Sequence, residues 1–555
     1  MATPLTLSPL LLVCCTLLTP AWAQKNTDVV RWRGDGTGIF AKQNPPVQWD
    51  DTTNIRFRTP LPNWSNSSPI VVGDRVFCMS EPVDYAPELL CLDAHDGTLR
   101  WRRQIDHLVH LPGGDVAKKT YSEKCELVRI LIGLLGEAAW LDRHDVPEND
   151  PRRQDLAQRV ERYQASFNVS KALKDDMVVY SPLLEPYTGK RNQWLEDHGL
   201  VSSRLTAEEK HGKHWAEAYT YHGYSGHNSG TTWVGHGWPT PLCDGERVYA
   251  ISAHNTVAAF SIDGDPAWLR TFPYPDKSRR KGLGLRDYPR LIAYSASPVW
   301  ADGKLITMLA YVLRAQDPAT GQVLWEVDCR RLSPHQNNDL QVLDIDGLAI
   351  IAWSGGRLID ARDGRILADG LGAIGKGGGN FIGHHDMLFF KGKALRIGRQ
   401  GDGIQVETVW QSDDTQTGMG HGSEGIYAGE QLILAGNKGI EFLAVDDGRR
   451  LRHSKDVPSY GPSLCLSGGR VYSGRWNDPD QLENPTGEQA VVDATSAQVL
   501  AVNELHLAEP VGDKLQQIWR HGGIAGWRMF GAATPFIAHD RIYIRSYDEL
   551  ICLGR

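Results

Sequence analysis

Short runs of alternating apolar and polar residues recur along most of the chain, separated by tight turns. Residues 67–80 (SSPIVVGDRVFCMS) contain an apolar segment, a Gly-Asp turn and an alternating segment. Residues 89–101 (LLCLDAHDGTLRW) add two more segments around an Asp-Gly turn and end in Trp101. Alternation with a period of two predicts β-strands, and the Gly and Asp residues between them predict hairpin turns. The unit is therefore four consecutive antiparallel strands.

The same unit recurs to the C-terminus. Its first turn lies at eight places, residues 73–74, 245–246, 302–303, 346–347, 385–386, 429–430, 468–469 and 539–540. Where no insertion intervenes, successive turns are 57, 44, 39, 44 and 39 residues apart. This period is typical of four-stranded propeller blades. The sequence thus predicts an all-β fold, an eight-bladed β-propeller of four-stranded blades.

The last copy ends after its third strand, at Gly554-Arg555. Residues 54–62 (NIRFRTPLP) alternate as an outer strand does, and Phe57 stands where other copies place Trp101, Trp268, Trp325 and Trp410. A ring must close, or its terminal sheet edges stay open. We therefore expect the N-terminal strand to complete the eighth blade.

Three motifs resemble those of a known family. The run Asp317–Trp325 (DPATGQVLW) resembles the repeat of quinoprotein alcohol dehydrogenases and of the outer-membrane assembly propeller lipoprotein. Residues 32–38 (WRGDGTG) and 61–77 resemble the secreted quinoprotein-like proteins of planctomycete-type bacteria. The resemblance implies a PQQ-repeat-like β-propeller, but one fold hosts many activities.

The N-terminus has the features of a secretory signal. Leu10–Leu18 is an apolar core, and Ala21-Trp22-Ala23 is a small-residue cleavage site. We interpret residues 1–23 as a signal peptide and expect a secreted or periplasmic protein without stable membrane insertion. A short anchor, or lipidation at Cys14 or Cys15, is the alternative, although the apolar run is too short to span a bilayer.

Residues 106–230 interrupt the period. Ser122–Asp142 has apolar residues at helical spacing, Asp155–Phe167 is a more polar helix candidate, and Thr206-x-x-Glu209 is a capping box. We predict a mostly α-helical insertion between blades 1 and 2, either over the central funnel or on the rim. The remaining divisions are 24–105, the closing strand with blade 1, and 231–555, blades 2–8.

Charge and cysteine content exclude some classes of function. The net charge is −8 and no basic run of note occurs, which argues against a nucleic-acid partner. No C-x-x-C motif occurs, which argues against a zinc site of the usual spacing. Quinoprotein dehydrogenases of the resembled family carry a vicinal cysteine pair, a Trp and a Glu-Asn-Asp calcium site. The only vicinal pair here is Cys14-Cys15, inside the signal, so we do not expect bound PQQ.

The loops that enter the inner strands are rich in His, Asn and aromatic residues. Four of their imidazoles could converge on a divalent metal, from His236, His335, His384 and His421. The alternative is a polar throat that satisfies backbone groups and trapped water. Further candidates for ligand binding are Asn228, Trp233, Asn337, Asn380, Glu424, Trp527 and Arg528.

Three functions fit these residues. The leading hypothesis is that the funnel binds a small-molecule or glycan ligand, most simply a carbohydrate, with Trp233 and Trp527 as stacking platforms. The first alternative is a metal-assisted polysaccharide lyase or another carbohydrate-active enzyme, in which Tyr460 or Tyr294 would be the base. The second is a scaffold for protein partners, as the resemblance to the assembly lipoprotein implies.

Overall fold

The structure is a computed structural model. It describes residues 29–62, 65, 67–80, 88–105, 141, 146–167, 239–252, 256–272, 295–309, 312–329, 340–353, 355–371, 381–390, 392–412, 425–436, 439–455, 457, 464–474, 486–506, 534–546 and 549–555.

Thirty-two strands and one helix make up the regular structure of these residues. In the first half of the chain they are β1 (Ile55–Pro60), β2 (Ile70–Val72), β3 (Arg75–Ser80), β4 (Glu88–Asp93), β5 (Leu99–Gln104), α1 (Pro151–Phe167), β6 (Leu242–Cys243), β7 (Arg247–Ser252), β8 (Thr256–Ser261), β9 (Pro266–Thr271), β10 (Ser295–Ala301), β11 (Lys304–Leu309), β12 (Val312–Gln316) and β13 (Val323–Asp328). In the second half they are β14 (Leu340–Ile345), β15 (Leu348–Trp353), β16 (Arg357–Asp360), β17 (Ile366–Ala368), β18 (Ile382–His384), β19 (Met387–Phe390), β20 (Lys393–Gln400), β21 (Gly403–Gln411), β22 (Ile426–Ala428), β23 (Gln431–Gly436), β24 (Gly439–Ala444), β25 (Arg450–Lys455), β26 (Cys465–Ser467), β27 (Arg470–Gly474), β28 (Thr486–Asp493), β29 (Val499–His506), β30 (Phe536–Ala538), β31 (Arg541–Arg545) and β32 (Glu549–Leu553).

These strands form eight four-stranded antiparallel sheets, so the predicted eight-bladed propeller is confirmed. Blades 1 to 7 each use four consecutive strands, from β2–β5 through to β26–β29, and blade 8 combines β30–β32 with β1. The eight first turns that the sequence predicted all lie between the first and second strands of a blade. First strands of neighbouring blades adjoin one another, which makes them the inner strands around the axis.

Apolar clusters fill the spaces between blades. One cluster joins blades 3 and 4 through Ile306, Leu313, Ile351 and Ile359, all fully buried. Burial of such a side chain contributes about 1.5–3 kcal/mol relative to exposure. Because alternate residues of each strand face opposite neighbours, each blade packs on both of its neighbours.

The repeated Trp packs each outer strand against the following blade. Trp268 donates its indole N–H to the carbonyl of Pro318 at 2.9 Å and lies over Gly321. A Cβ at Gly321 would lie 2.6 Å from the indole, and its φ is +71°, so glycine is required on both grounds. The same stacking joins Trp101 to Gly264, Trp325 to Gly364 and Trp410 to Gly448.

Strand β1 lies at the outer edge of blade 8, antiparallel to β32. Phe57 pairs with Cys552, as Trp101 pairs with Cys91 in blade 1, and a register shift adjoins each pair. The Phe57 ring would be 2.4 Å from a Cβ at Gly97, the glycine of the next blade. Phe57 therefore occupies the position of the structural tryptophan in blade 8.

Arg58 of β1 contacts blades 7 and 8. Its Nε and Nη2 donate to the two carboxylate oxygens of Glu549 on β32 at 3.0 and 2.8 Å. Its Nη2 also donates to the carbonyl of His506 on β29 at 2.7 Å, and its Nη1 to Asp51 at 3.2 Å. The closing strand is thus joined by charged groups to blades 7 and 8.

The helix α1 lies within residues 106–230, the segment expected to be helical. Most of that segment lies outside the described residues, so a mostly helical insertion stays a prediction. No helix among the described residues is both long enough and apolar enough to cross a membrane.

Candidate functional site

The segment of residues 29–40 crosses the centre of the ring. At one end, Val30 and Cys243 of blade 2 exchange both backbone hydrogen bonds at 2.8 Å. At the other end, Phe40 donates its backbone N–H to the carbonyl of Leu466 in blade 7, and Leu466 donates to Gly38, each at 2.8 Å. Both partners are on inner strands, so the segment spans the axis.

The turn at its middle is made by the WRGDGTG motif. The carboxylate of Asp35 accepts the backbone N–H of Thr37 at 2.9 Å and its hydroxyl at 2.5 Å. Gly36 has a φ of +96°, and a Cβ there would lie 2.0 Å from the Arg31 guanidinium. These glycines are needed because the chain turns back sharply while two arginines pack against it.

Arg33 is the most deeply placed charge of the segment, with only 2% of its surface exposed. Its Nη2 donates to the carbonyls of Gly425 and Leu464, at 2.8 and 3.2 Å. These carbonyls precede the inner strands of blades 6 and 7, so one guanidinium joins two neighbouring blades. Its cation also lies 5.4 Å from the centre of the Trp32 ring.

Hydroxyl groups join the blades on the other side of the axis. The backbone N–H of Thr534 donates to the Ser68 hydroxyl at 2.8 Å, that of Ser68 to Thr240 at 3.3 Å, and that of Thr240 to Ser297 at 3.1 Å. The Trp32 indole N–H extends this chain to the Thr534 hydroxyl at 3.2 Å. Thr534, Ser68, Thr240 and Ser297 each precede a proline, so a Ser/Thr-Pro pair lies at the start of the inner strands of blades 8, 1, 2 and 3.

A shallow cleft lies between this segment and blades 4 to 6. It holds about 210 Å³, including space open to solvent, and is lined by Arg33, Gly36, Thr37, Gln341, Ile382, Gly383, His384 and Tyr427. The ring centres of His384 and Tyr427 are 4.9 Å apart. Burial, with a contribution from Asp386, raises the pKa of the Tyr427 hydroxyl.

Of the candidate site residues predicted from the sequence, only His384 is among those described. His384 is the last residue of β18 and adjoins the first turn of blade 5. The loop of residues 375–380 enters the opposite end of that strand. The other candidates lie outside the described residues: His236, His335, His421, Asn228, Trp233, Asn337, Asn380, Glu424, Trp527, Arg528, Tyr460 and Tyr294. Within the described part of the chain no three His, Cys, Asp or Glu side chains are grouped to hold a metal.

Cysteines of the described residues are buried free thiols, as expected for small apolar residues. Burial raises the pKa of the Cys243 and Cys465 thiols to about 12. These two adjoin the ends of the crossing segment. At such a pKa the thiolate is scarce at neutral pH, so both thiols react slowly in the folded protein.

Sequence reasoning did not assign a place to Trp32 and Arg33. The available signal was the Trp-Arg pair followed by glycines at every second position, residues 34, 36 and 38, ahead of the first strand. That spacing indicates a compact turn, but not which blades it contacts.

Comparison with known proteins agrees with the repeat pattern. The family model described as outer membrane protein assembly factor BamB matches residues 32–120 and 225–371, less than half of the chain, where blades 1 to 4 lie. The chain is therefore similar to PQQ-repeat propellers over these blades. No curated protein sequence matches the chain.

Solved structures with similar folds have low sequence identity. BamB from Moraxella catarrhalis is 12% identical, with 56% of this chain and 82% of that chain covered and a TM-score of 0.37. Quinohemoprotein alcohol dehydrogenase from Comamonas testosteroni is 12% identical, with 57% and 73% covered and a TM-score of 0.33. The computationally designed Ika8 protein is 14% identical, with 56% and 81% covered and a TM-score of 0.33.

Proposed function

We propose that this protein is a secreted or periplasmic propeller that binds a carbohydrate at the centre of its loop face. The observation that supports this is the polar start of four inner strands, where Ser68, Thr240, Ser297 and Thr534 form a chain of hydrogen bonds that ends at the Trp32 indole. These side chains are buried and bonded to one another, so a saccharide would bind the loops that precede these strands, offering hydroxyls to their polar groups and C–H faces to their aromatic rings. The loops that precede these strands carry the aromatic candidates Trp233 and Trp527.

The test uses the mature chain, residues 24–555, on a glycan array and in thermal-shift assays with the saccharides that bind. Trp233→Ala and Trp527→Ala should each weaken binding about tenfold, because a lost stacking contact is worth about 1 kcal/mol or more. Trp410→Phe is the matched control, because Trp410 packs between blades 5 and 6, away from the axis. Binding of no saccharide class, or unchanged binding in both Trp variants, would overturn the proposal.

The match to the BamB family supports a second candidate, a scaffold in outer-membrane protein assembly. Under this proposal the mature chain binds a protein partner and needs no saccharide. Capture of a denatured outer-membrane protein on immobilised mature chain would favour it, provided that an added saccharide does not compete. No capture, together with saccharide binding, would favour the first proposal.

A further inference from the structure

The segment of residues 29–40 is built into the ring centre rather than laid on its surface. It is bonded to blade 2 at Val30 and to blade 7 through Gly38 and Phe40. We propose that it is a permanent plug, which closes the turn end of the central channel, so that a ligand of the proposed function enters from the loop face. The statement about access rests on the proposed function, whereas the closure itself does not.

The segment is tightly packed within itself. Added Cβ atoms at Gly36 and Gly38 would lie 2.0 and 2.3 Å from the guanidinium groups of Arg31 and Arg33. An opening through the segment itself would therefore require it to unfold or to leave its place.

Departure of the segment would also break contacts between blades. The hydroxyl chain joins blades 8, 1, 2 and 3, whereas Arg33 joins blades 6 and 7 through the carbonyls of Gly425 and Leu464. Removing Arg33 would leave these buried carbonyls without its charge-assisted hydrogen bonds, which are about twice as strong as neutral ones. The plug thus joins two blades, 6 and 7, that this hydroxyl chain does not reach.

Permanence can be measured in the unmodified mature chain by labelling with N-ethylmaleimide and mass spectrometry. Cys243 and Cys465 adjoin the two ends of the plug, and Cys329 is a buried thiol of blade 3 away from it. If the plug stays in place, Cys243 and Cys465 should label within about threefold of the Cys329 rate. Labelling of both at least about tenfold faster than Cys329, in the folded protein, would show that the plug opens and would overturn the proposal.

A second experiment locks the plug. Val30 and Cys243 exchange both backbone hydrogen bonds, and such antiparallel pairs have Cα atoms about 5.5 Å apart, within disulfide range. Val30→Cys should form a disulfide with Cys243 when glutathione disulfide accepts the two electrons and two protons of the thiols and becomes two glutathione molecules. Asp35→Cys, at an exposed position of the same segment, is the control and should form none.

The locked protein connects the plug to ligand access. A saccharide found to bind the wild type should bind the locked Val30→Cys protein with a Kd changed less than about twofold, because entry is from the loop face. A loss of binding on locking, reversed by reduction, would show a moving gate and refute permanence. If no saccharide binds the wild type, the proposed function fails, while the labelling and cross-linking results still decide the plug.

Discussion

Arg58 connects the closing strand β1 to both neighbouring blades, and its replacement by alanine tests the closure of the ring. Glu549 is nearly buried, with 7% of its side chain exposed, and in the wild type it accepts two hydrogen bonds from Arg58. In Arg58→Ala this carboxylate loses both bonds and keeps its desolvation cost. Breaking a fully buried ion pair costs about 3–5 kcal/mol. Arg58 is 24% exposed, so solvent lowers the expected loss to about 2–3 kcal/mol.

Urea unfolding of the mature chain measures this loss as a lower midpoint with an unchanged slope. Glu549→Gln in the Arg58→Ala background should recover about 1 kcal/mol or more, because the buried charge is removed together with its partner. Hydrogen exchange should show faster opening of the amides that join β1 to β32.

Arg102→Ala is the matched control. Arg102 binds Glu88 with the same two-bond geometry, but between β4 and β5, which follow each other in blade 1. Its effect on exchange should stay within blade 1. If Arg58→Ala and a surface substitution such as Arg449→Ala have equal midpoints, the role of Arg58 in closure is refuted.

The deletion of residues 24–60 extends the same reasoning. It removes β1, the Arg58 contacts, and Trp49, which donates its indole N–H to Gln489 of blade 7 at 3.1 Å. We expect the whole propeller to lose stability in thermal unfolding, whereas a deletion of equal length within 106–230 should act locally. An N-terminal deletion that melts like the intact mature chain would show that β1 does not close the ring.

Two further predictions concern single positions. In urea unfolding, Gly321→Ala should lower the free energy of unfolding by about 1–3 kcal/mol more than Gly303→Ala does. Both glycines have a positive φ, but only Gly321 lies against the ring of Trp268. Equal losses in the two variants would contradict the stacking explanation. The backbone N–H of Thr52, foremost among several hydrogen bonds, lowers the pKa of Asp50 from 3.8 to about 2. Asp50 therefore adds stability that is fully present above pH 3.8 and is lost as the pH falls towards 2, so Asp50→Asn should flatten the urea midpoint against pH between 2 and 4. An unchanged profile would exclude Asp50 as a source of acid sensitivity.

The repeat pattern determined much of this fold by itself. The eight first turns, the four-stranded units and the Trp positions could be predicted because each depends on residues close in sequence: glycine in turns, alternation in strands, and Trp at a fixed distance after a turn. The comparison of Phe57 with those Trp residues pointed to the place of β1 before any contact was known.

The centre of the ring was decided by tertiary structure alone. Arg33 binds carbonyls 392 and 431 residues further along the chain, and Trp32 binds a hydroxyl 502 residues away. His384 was expected among the loop histidines, yet it ends its strand beside the turn, because the loop before it enters the other end of β18. Such placements depend on which blades the segment of residues 29–40 contacts in the closed ring. The packing of the ring decides this, because local chain propensity carries no information about partners hundreds of residues away.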